Sequence, residues 1–346
     1  MSEDLSATEC QSRVEQFTQV TLTDEALAQF YLQDHNWDVD SSITAYLEQN
    51  RGEKEKEGPP NKRPKLNVSD SLKNFIKEQI DPIKKEFPDK ISFITWNIDG
   101  LDEKNIVQRT LEVVKTIQKR KVDIVFFQEI VPQTYDILKS NLSSEYVLTQ
   151  KKVAYFTVVL LKRSTINLES VVVKPFENSS MCRDLTIVNA ALQNGTKFVL
   201  INTHLESTKD FAEARMKQLK EAFKTVKEEN RNVTVILAGD MNARDTEVKK
   251  VGIPDGIEDL WISMGERKEC QYTWDTLRNT NLHINGKFKP RCRFDRVYFR
   301  SSEMKEISAE HFGLCGIEKV QGAQCFPSDH WGIYCVFNIS KDSKDN

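Results

Sequence analysis

The chain has 346 residues, 39% hydrophobic and 29% charged, with a net charge of −3. That is ordinary globular composition, with apolar material for one large core and a small extra module, and its charge does not by itself advertise nucleic-acid binding. No apolar run approaches the roughly 18 residues of a membrane span, and the first residues lack the basic-then-apolar order of a secretory signal.

The charge is unevenly spread. Residues 1–50 hold ten acidic residues against Arg13 alone, a net of −9, which leaves +6 for the remainder. An acidic head joined to a mildly basic body permits a polyanionic substrate without proving one. Seven cysteines, at 10, 182, 270, 292, 315, 325 and 335, are odd in number and form no CxxC pair. They predict buried thiols in a reduced, intracellular protein.

In chain order, helical patterns are predicted over residues 7–18, 24–34 and 41–49. Thr23 caps the second, with Ala26, Leu27 and Phe30 on one face. Asp40 or Ser41 caps the third, with Ile43, Tyr46 and Leu47 inward. Three helices make a marginal core at this length. Residues 1–50 carry no polar cluster with catalytic spacing, so they read as a partner-binding module.

Residues 51–66, RGEKEKEGPPNKRPKL, are too charged and too poor in apolar side chains to offset the entropy of ordering, and predict a linker. Within it, Lys62, Arg63 and Lys65 read either as a nuclear localisation signal or as a solvated linker. A bridging helix is expected within 68–88, which extends the linker to 88. From 89 to 341, apolar runs recur at 91–96, 122–127, 154–161, 170–173, 185–192, 197–203, 233–238, 294–299 and 332–339. Most are near-continuous rather than alternating, as expected of strands covered on both faces. Amphipathic helices are predicted at 103–120, with Ile106, Thr110, Val113, Val114 and Ile117 inward, and at 209–229. The fold class is therefore α/β, with packed sheets flanked by helices.

The chemistry gathers where strands end. ISFIT runs into Trp96-Asn97-Ile98-Asp99-Gly100, VDIVFF into Gln128-Glu129, and KFVLINT into His204-Leu205-Glu206-Ser207. VTVILAG runs into Asp240-Met241-Asn242-Ala243-Arg244, RFDRVYF carries Asp295, and CFPSDHWGIYC carries Asp329-His330. One such residue is a turn former. Several converging on one sheet rim make a site on a rigid scaffold.

Carboxylates and amides without a Cys/His quartet lack a zinc signature and suit magnesium or manganese. Asp99 and Glu129 suffice to hold such an ion. Asp240, held by Asn97 or Asn242, is expected to activate water. His330, oriented by Asp295, donates to phosphoryl oxygens, and His204 adds a second donor. Period-two spacing places Asp240, Asn242 and Arg244 on one face and turns Met241 and Ala243 away. Arg244 and Arg183 are candidate phosphate forks. Trp274, in a polar loop, and Phe294 are expected to stack on bases without sequence preference. A Ser207–His204–Asp240 acyl-transfer triad is disfavoured, because no G-x-S-x-G elbow is present.

Taken in order, TWNIDGLD, FFQEI, NTHLES, GDMNARD, RFDRVYF and PSDHWG resemble the endonuclease/exonuclease/phosphatase superfamily. TWNIDGLD, HLEST, YTWDT and SDHWG resemble a DNA-repair branch of it, and FYLQDHNWDVDSSITAYLEQN resembles the last two helices of ubiquitin-associated-like domains. The resemblance implies a four-layer α–β–β–α sandwich catalytic domain preceded by a small three-helix domain. It implies magnesium-dependent removal of tyrosine from 5′-phosphate DNA ends left by trapped topoisomerase II, with ubiquitin as a partner of the head. It places the protein in the nucleus, with the cytoplasm also open.

Carried onto these residues, Asn97, Ile98, Asp99, Gly100 and Leu101 line the 5′ end, with Asp99 and Glu129 at the metal. Asp240 is the acid/base. His204, Leu205, Glu206, Ser207, Thr208 and Lys209, with Asn242, Ala243, Arg244 and His330, contact the phosphate and first nucleotides. Tyr155, Trp274 and Phe294 shape a narrow DNA groove. Met241 and Ala243 depart from the expected GDTNLRD, which puts the packing beneath them in question. Other substrates of the superfamily stay open: abasic sites, messenger-RNA tails and phosphoinositides. A non-enzymatic ubiquitin-binding adaptor is disfavoured, because every chemical position is filled.

Overall fold

The computed structural model describes residues 7–21, 28, 31–32, 35, 37–39, 41–43, 45–46, 87–149, 153–284 and 287–340. The predicted linker, its basic cluster, nearly all of the bridging helix, and Thr23, Ala26, Leu27, Phe30, Asp40 and Leu47 lie outside the described residues. The chain divides into two compact units, 1–79 and 80–346.

In the first unit, helix α1 (Ala7–Thr21) runs three residues beyond its predicted end. Val14 and Phe17, on one face, pack with Ala28, Tyr31 and Leu32, and Ile43 and Tyr46 close over them as predicted. Aromatic rings meet in the small core, with Phe17 stacked on Tyr31 at 5.9 Å and Tyr46 edge-on to Tyr31 at 5.4 Å.

Among the described residues the second unit contains fourteen strands. They are β1 (Lys90–Asn97), β2 (Ile124–Ile130), β3 (Tyr146–Leu148), β4 (Phe156–Lys162), β5 (Ile166–Pro175), β6 (Asp184–Leu192) and β7 (Lys197–His204). Then come β8 (Thr234–Asp240), β9 (Glu258–Asp259), β10 (Trp274–Asp275), β11 (Arg291–Cys292), β12 (Asp295–Arg300), β13 (Ile307–Cys315) and β14 (Gly332–Ile339). Two six-stranded sheets, ordered β13-β14-β1-β2-β4-β3 and β5-β6-β7-β8-β12-β9, lie face to face, with β10-β11 a separate hairpin.

Alternation along each strand builds the layers. Ile91 and Phe93 of β1 meet Ile236 and Ala238 of β8 and Val297 and Phe299 of β12 between the sheets. The other face of the first sheet, with Ile94 and Trp96, packs on helices α2 (Ile106–Arg120) and α3 (Pro132–Leu142). The outer face of the second, with Val235 and Leu237, packs on α4 (Ala212–Glu228) and α5 (Asp245–Val251). The result is the expected α–β–β–α sandwich. The residues predicted inward on α2 are all buried.

Several elements escaped the sequence pattern, among them the strands β3, β9, β10 and β11, of two or three residues each. Helices α3 and α5 have only 11 and 7 residues, too short for a clear period. Strand β13 interrupts its apolar residues with Glu310 and His311, because it is an edge strand with a register shift between Ala309 and His311. The expectation of coverage on both faces also fails at β5, an edge strand on which Val171, Val172 and Val173 are exposed.

Candidate active site

The site forms where the inter-sheet strand faces run past the end of the apolar core. The face of β8 that buries Ile236 and Ala238 ends in Asp240, and that of β1 carrying Ile91 and Phe93 ends in Asn97. On β7 the series Phe198, Leu200, Asn202 ends in His204, and on β12 Asp295 precedes Val297 and Phe299. Register then brings the ends together, since Asp240 pairs with both His204 and Asp295.

Glu129 arrives differently. Gln128 continues the inter-sheet face of β2 and is buried, its amide donating to Asn202 at 2.8 Å and Thr95 at 3.1 Å. It ties the sheets together beneath the site. The register of β2 against β4 shifts between Phe127 and Ile130, and Glu129 takes φ +58°. That left-handed turn brings a second consecutive side chain to the same end.

Asn97 is the hub. Its Oδ1 accepts from the Asp99 N–H at 2.9 Å, and its Nδ2 donates to Glu129 Oε1 and Asp240 Oδ2, both at 3.0 Å. Asp240 Oδ1 accepts the backbone N–H of Asn242 at 2.8 Å. His330 Nδ1 bonds Asp295 Oδ2 at 2.8 Å, and its Nε2 lies 3.8 Å from Asp240. His204 Nε2 lies 3.4 Å from Asp240 Oδ2, while its Nδ1 is 3.0 Å from both Arg183 Nη1 and the Tyr155 hydroxyl. A guanidinium only donates, so Nδ1 accepts and the ring proton sits on Nε2, facing Asp240.

Electrostatics divide the groups. Burial opposes a charge on His330, but Asp295, Asp329 and Asp240 overcome it and raise its pKa well above the ordinary value. Burial, joined by the Arg183 cation, pushes His204 down to about 3, so its ring is neutral. Burial would raise Asp240, yet the two histidines and the bonds from Asn97 and Asn242 hold it low and ionised. Asp99 and Glu129 go the other way, raised first by burial and further by Asp329. Arg183 is buried, has no ion-pair partner among the described residues, and leaves its Nε without a hydrogen bond.

An ionised carboxylate beside an imidazolium and a neutral imidazole N–H is a place to hold water against an oxyanion. The sequence profile of the endonuclease/exonuclease/phosphatase family matches residues 94–330, and that of a UBA-like domain matches residues 11–53. The chain belongs to the endonuclease/exonuclease/phosphatase family.

Within that family the chain is similar to tyrosyl-DNA phosphodiesterase 2. It is 37% identical to the Homo sapiens protein, over 94% of this chain and 91% of that one. It is 36% identical to the Bos taurus protein at the same coverage. Among solved structures, D. rerio TDP2 complexed with single-strand DNA product covers 72% of this chain and all of its own, at 36% identity and TM-score 0.69. TDP2 from C. elegans covers 97% of this chain and 95% of its own, at 30% identity and TM-score 0.66. A Bacteroides thetaiotaomicron member of the family, at 14% identity and TM-score 0.56, shares the fold.

The donor set fits the divalent cation on which such a phosphodiesterase site would draw. Asp99 Oδ2 is buried without a hydrogen bond, and it shares its surroundings with the raised carboxylate Glu129 and with Asp329. Two desolvated, mutually repelling carboxylates suit a hard cation. Asp240, Asp295 and His330 also cluster closely enough to hold an ion. His330, held as an imidazolium against Asp295, has no lone pair to offer, however, so the cation is better served at Asp99 and Glu129.

Not every predicted contact residue reaches the site. The side chains of Ile98, Leu205 and Ala243 are buried in the helix-facing cores, with Met241 beside Leu205 and Ala243. Glu206 is fully buried, its Oε1 accepting from Ser179 Oγ, Ser180 N and Met181 N. It shapes the loop before Arg183 instead of facing a ligand. The alternation predicted through Arg244 stops at Asp240, because Asn242 takes φ +49°. The Asn242 side chain donates to Leu205 O at 3.2 Å, so its main-chain N–H, and not its amide group, holds Asp240. Arg244 is exposed and lies 3.5 Å from Glu247.

Leu101, Thr208 and Lys209 are exposed, Ser207 is half-buried and Gly100 is buried. Trp274 and Phe294 stand 5.6 Å apart, and Phe294 is 6.5 Å from His330. The Trp274 indole donates to Asp329 at 3.0 Å, a role the sequence reading did not assign. Thr273 and Ser328 were also unassigned. Thr273 Oγ1 accepts the Asp295 N–H at 3.0 Å, and Ser328 Oγ bridges Asn97 O at 2.6 Å and the His330 N–H at 3.0 Å. The signal for both was adjacency, in YTWDT and PSDHWG.

Proposed function

We propose that this chain hydrolyses the phosphodiester between tyrosine and the 5′ end of DNA, leaving a 5′-phosphate, and that it repairs ends left by trapped topoisomerase II. The carrying observation is the constellation Asn97, Glu129, His204, Asp240, Asp295 and His330, intact in a chain 37% identical to a tyrosyl-DNA phosphodiesterase 2 over 94% of its length.

Asp240 accepts a hydrogen bond from the attacking water and takes its proton as the oxygen bonds to phosphorus, while the bond from phosphorus to the tyrosine oxygen breaks. Asn97 aims that carboxylate. The His330 imidazolium and the His204 Nε2–H donate to phosphoryl oxygens, and the buried Arg183 cation offsets their charge. A magnesium ion, or manganese in its place, held by Asp99 and Glu129 would supply Lewis-acid stabilisation of the same oxygens. Trp274 and Phe294 stack on the first bases, with Tyr155, Leu101 and Lys209 bordering their path. The UBA-like head binds ubiquitin or ubiquitinated proteins, and the basic cluster at 62–65 directs the chain to the nucleus.

The test is a substrate panel with and without chelator. A 5′-tyrosyl oligonucleotide is converted to the 5′-phosphate only with the metal present. Faster cleavage of an abasic duplex, a polyadenylate tail or a phosphoinositide would replace this reading.

A further inference from the structure

Helix α2 buries a cation that the chemistry above does not use. Arg109 is 2% exposed, and its guanidinium spends its donors on main-chain carbonyls. Nε donates to Lys104 O at 3.0 Å, Nη1 to Ile98 O and Pro327 O at 3.2 Å, and Nη2 to Asp99 O at 3.0 Å and to Asp102 O. Four of these carbonyls lie in the segment that carries Asp99. The fifth lies two residues before Asp329. Nη1 also stands 3.5 Å from Asp99 Oδ2 without a hydrogen bond to it. On its other side the segment is pressed against β2, where a Cβ added at Gly100 would lie 2.0 Å from Glu129 O.

Only a planar fork with five N–H groups can satisfy so many carbonyls at once; an ammonium has three donors and no fixed plane. We propose that Arg109 is a positioning residue, which sets the Asp99 segment and the Asp329–His330 segment in register and so shapes the oxygen donor set on which divalent-cation binding depends. The inference rests on the reading of Asp99 and Glu129 as the metal donors.

The molecule supplies its own control. Arg300 makes a similar carbonyl hub, donating to Val226, Glu229, Asn230 and Val233 at 2.7–2.9 Å. It does so at the end of the second sheet where β8 begins, opposite Asp240. A merely structural role predicts the same consequences for both arginines.

Arg109→Lys and Arg300→Lys are compared in the full chain by thermal unfolding, by calorimetric titration of magnesium into substrate-free protein, and by hydrolysis of the 5′-tyrosyl oligonucleotide. Both variants should melt lower. Only Arg109→Lys should lose about 10- to 100-fold in magnesium affinity and in kcat, with KM nearly unchanged. Arg109→Gln, which keeps an amide donor, replaces Arg109→Lys if the latter does not fold. Equal losses in the two arginine variants, unchanged metal affinity in Arg109→Lys, or failure of both Arg109 variants to fold would overturn the proposal. If the unmodified chain binds magnesium and cleaves but Arg109→Lys matches it, this inference alone fails. If the unmodified chain does neither, the functional reading fails with it.

Discussion

The two sheets deliver their site residues by different means. The second sheet presents His204, Asp240 and Asp295 by ordinary alternation, and those groups are bonded into a neighbourhood of fixed protons, with Asp295 on His330 at 2.8 Å. The first sheet presents Asp99 and Glu129 only through left-handed backbone, φ +52° and +58°, conformations that generally cost about 1–3 kcal/mol each. Both carboxylates are raised by burial and by Asp329, and Asp99 Oδ2 accepts no hydrogen bond. In one half each carboxylate is hydrogen-bonded to a neighbouring side chain. In the other the two carboxylates repel each other, and its geometry is held from outside, by Arg109 beneath and Gly100 against Glu129 O.

The contrast is tested most severely at Asp240. Asp240→Asn should lower turnover by about 10²- to 10⁴-fold, the usual worth of a proton acceptor, while calorimetric magnesium affinity stays close to that of the unmodified chain. Loss of metal binding as well would show that the halves are not separate.

Glu129→Gln should behave in the opposite way. Asn97 still finds an oxygen to bond, but magnesium binding weakens by about 10- to 100-fold, and part of the lost turnover returns as magnesium is raised. Turnover that stays low at every metal concentration would place Glu129 outside the metal half.

Gly100→Ala tests the clamp on that half. A Cβ 2.0 Å from Glu129 O must displace main chain, which should cost about 1–3 kcal/mol, as overpacking does. In a domain of this size that lowers the thermal midpoint by several degrees, at about 2–4 °C per kcal/mol. An unchanged midpoint in scanning calorimetry would mean that the loop moves freely.

The smallest effect is expected at His204→Asn. Burial and Arg183 push the ring down to about 3, so it is uncharged throughout the neutral range and no protonation of it is lost as pH rises. The variant should cost about tenfold, the worth of one neutral hydrogen bond, and leave the shape of the rate–pH profile between pH 5 and 9 unchanged. A displaced limb in that profile would mean that His204 carries charge in catalysis.

The same contrast governs how much could be read from the chain. Asp240, His204, Asp295 and Asn97 continue core parities that run through VTVILAG, KFVLINT, RFDRVYF and ISFIT, so their convergence was readable from period two alone. Glu129 was expected at the site on its residue type, but period two alone would separate it from Gln128; the register shift at Phe127–Ile130 and its left-handed backbone bring both to one end. Extended one turn too far, the same rule placed the Asn242 side chain beside Asp240, where the left-handed backbone puts its N–H. Ala243, Leu205 and Ile98 sit within motifs but point into the helix layers, and Glu206 is spent on its own loop.

By itself the sequence determined an α/β fold of packed sheets flanked by helices, most of the longer strands, the ends at which polar residues collect and the hard-oxygen character of the donors, because these follow from short-range periodicity and side-chain chemistry; the four-layer sandwich came from resemblance. Only the tertiary structure decided which residues share a bond. Asp295 behind His330 was already expected from the residue types, and Asn97 was one of two candidates for Asp240, but Asn97 bridging Glu129 as well, Arg183 fixing the His204 tautomer and Arg109 joining two loops link positions distant in the chain. No local pattern encodes such links; they arise when two sheets close over one core and leave their polar ends a single place to meet.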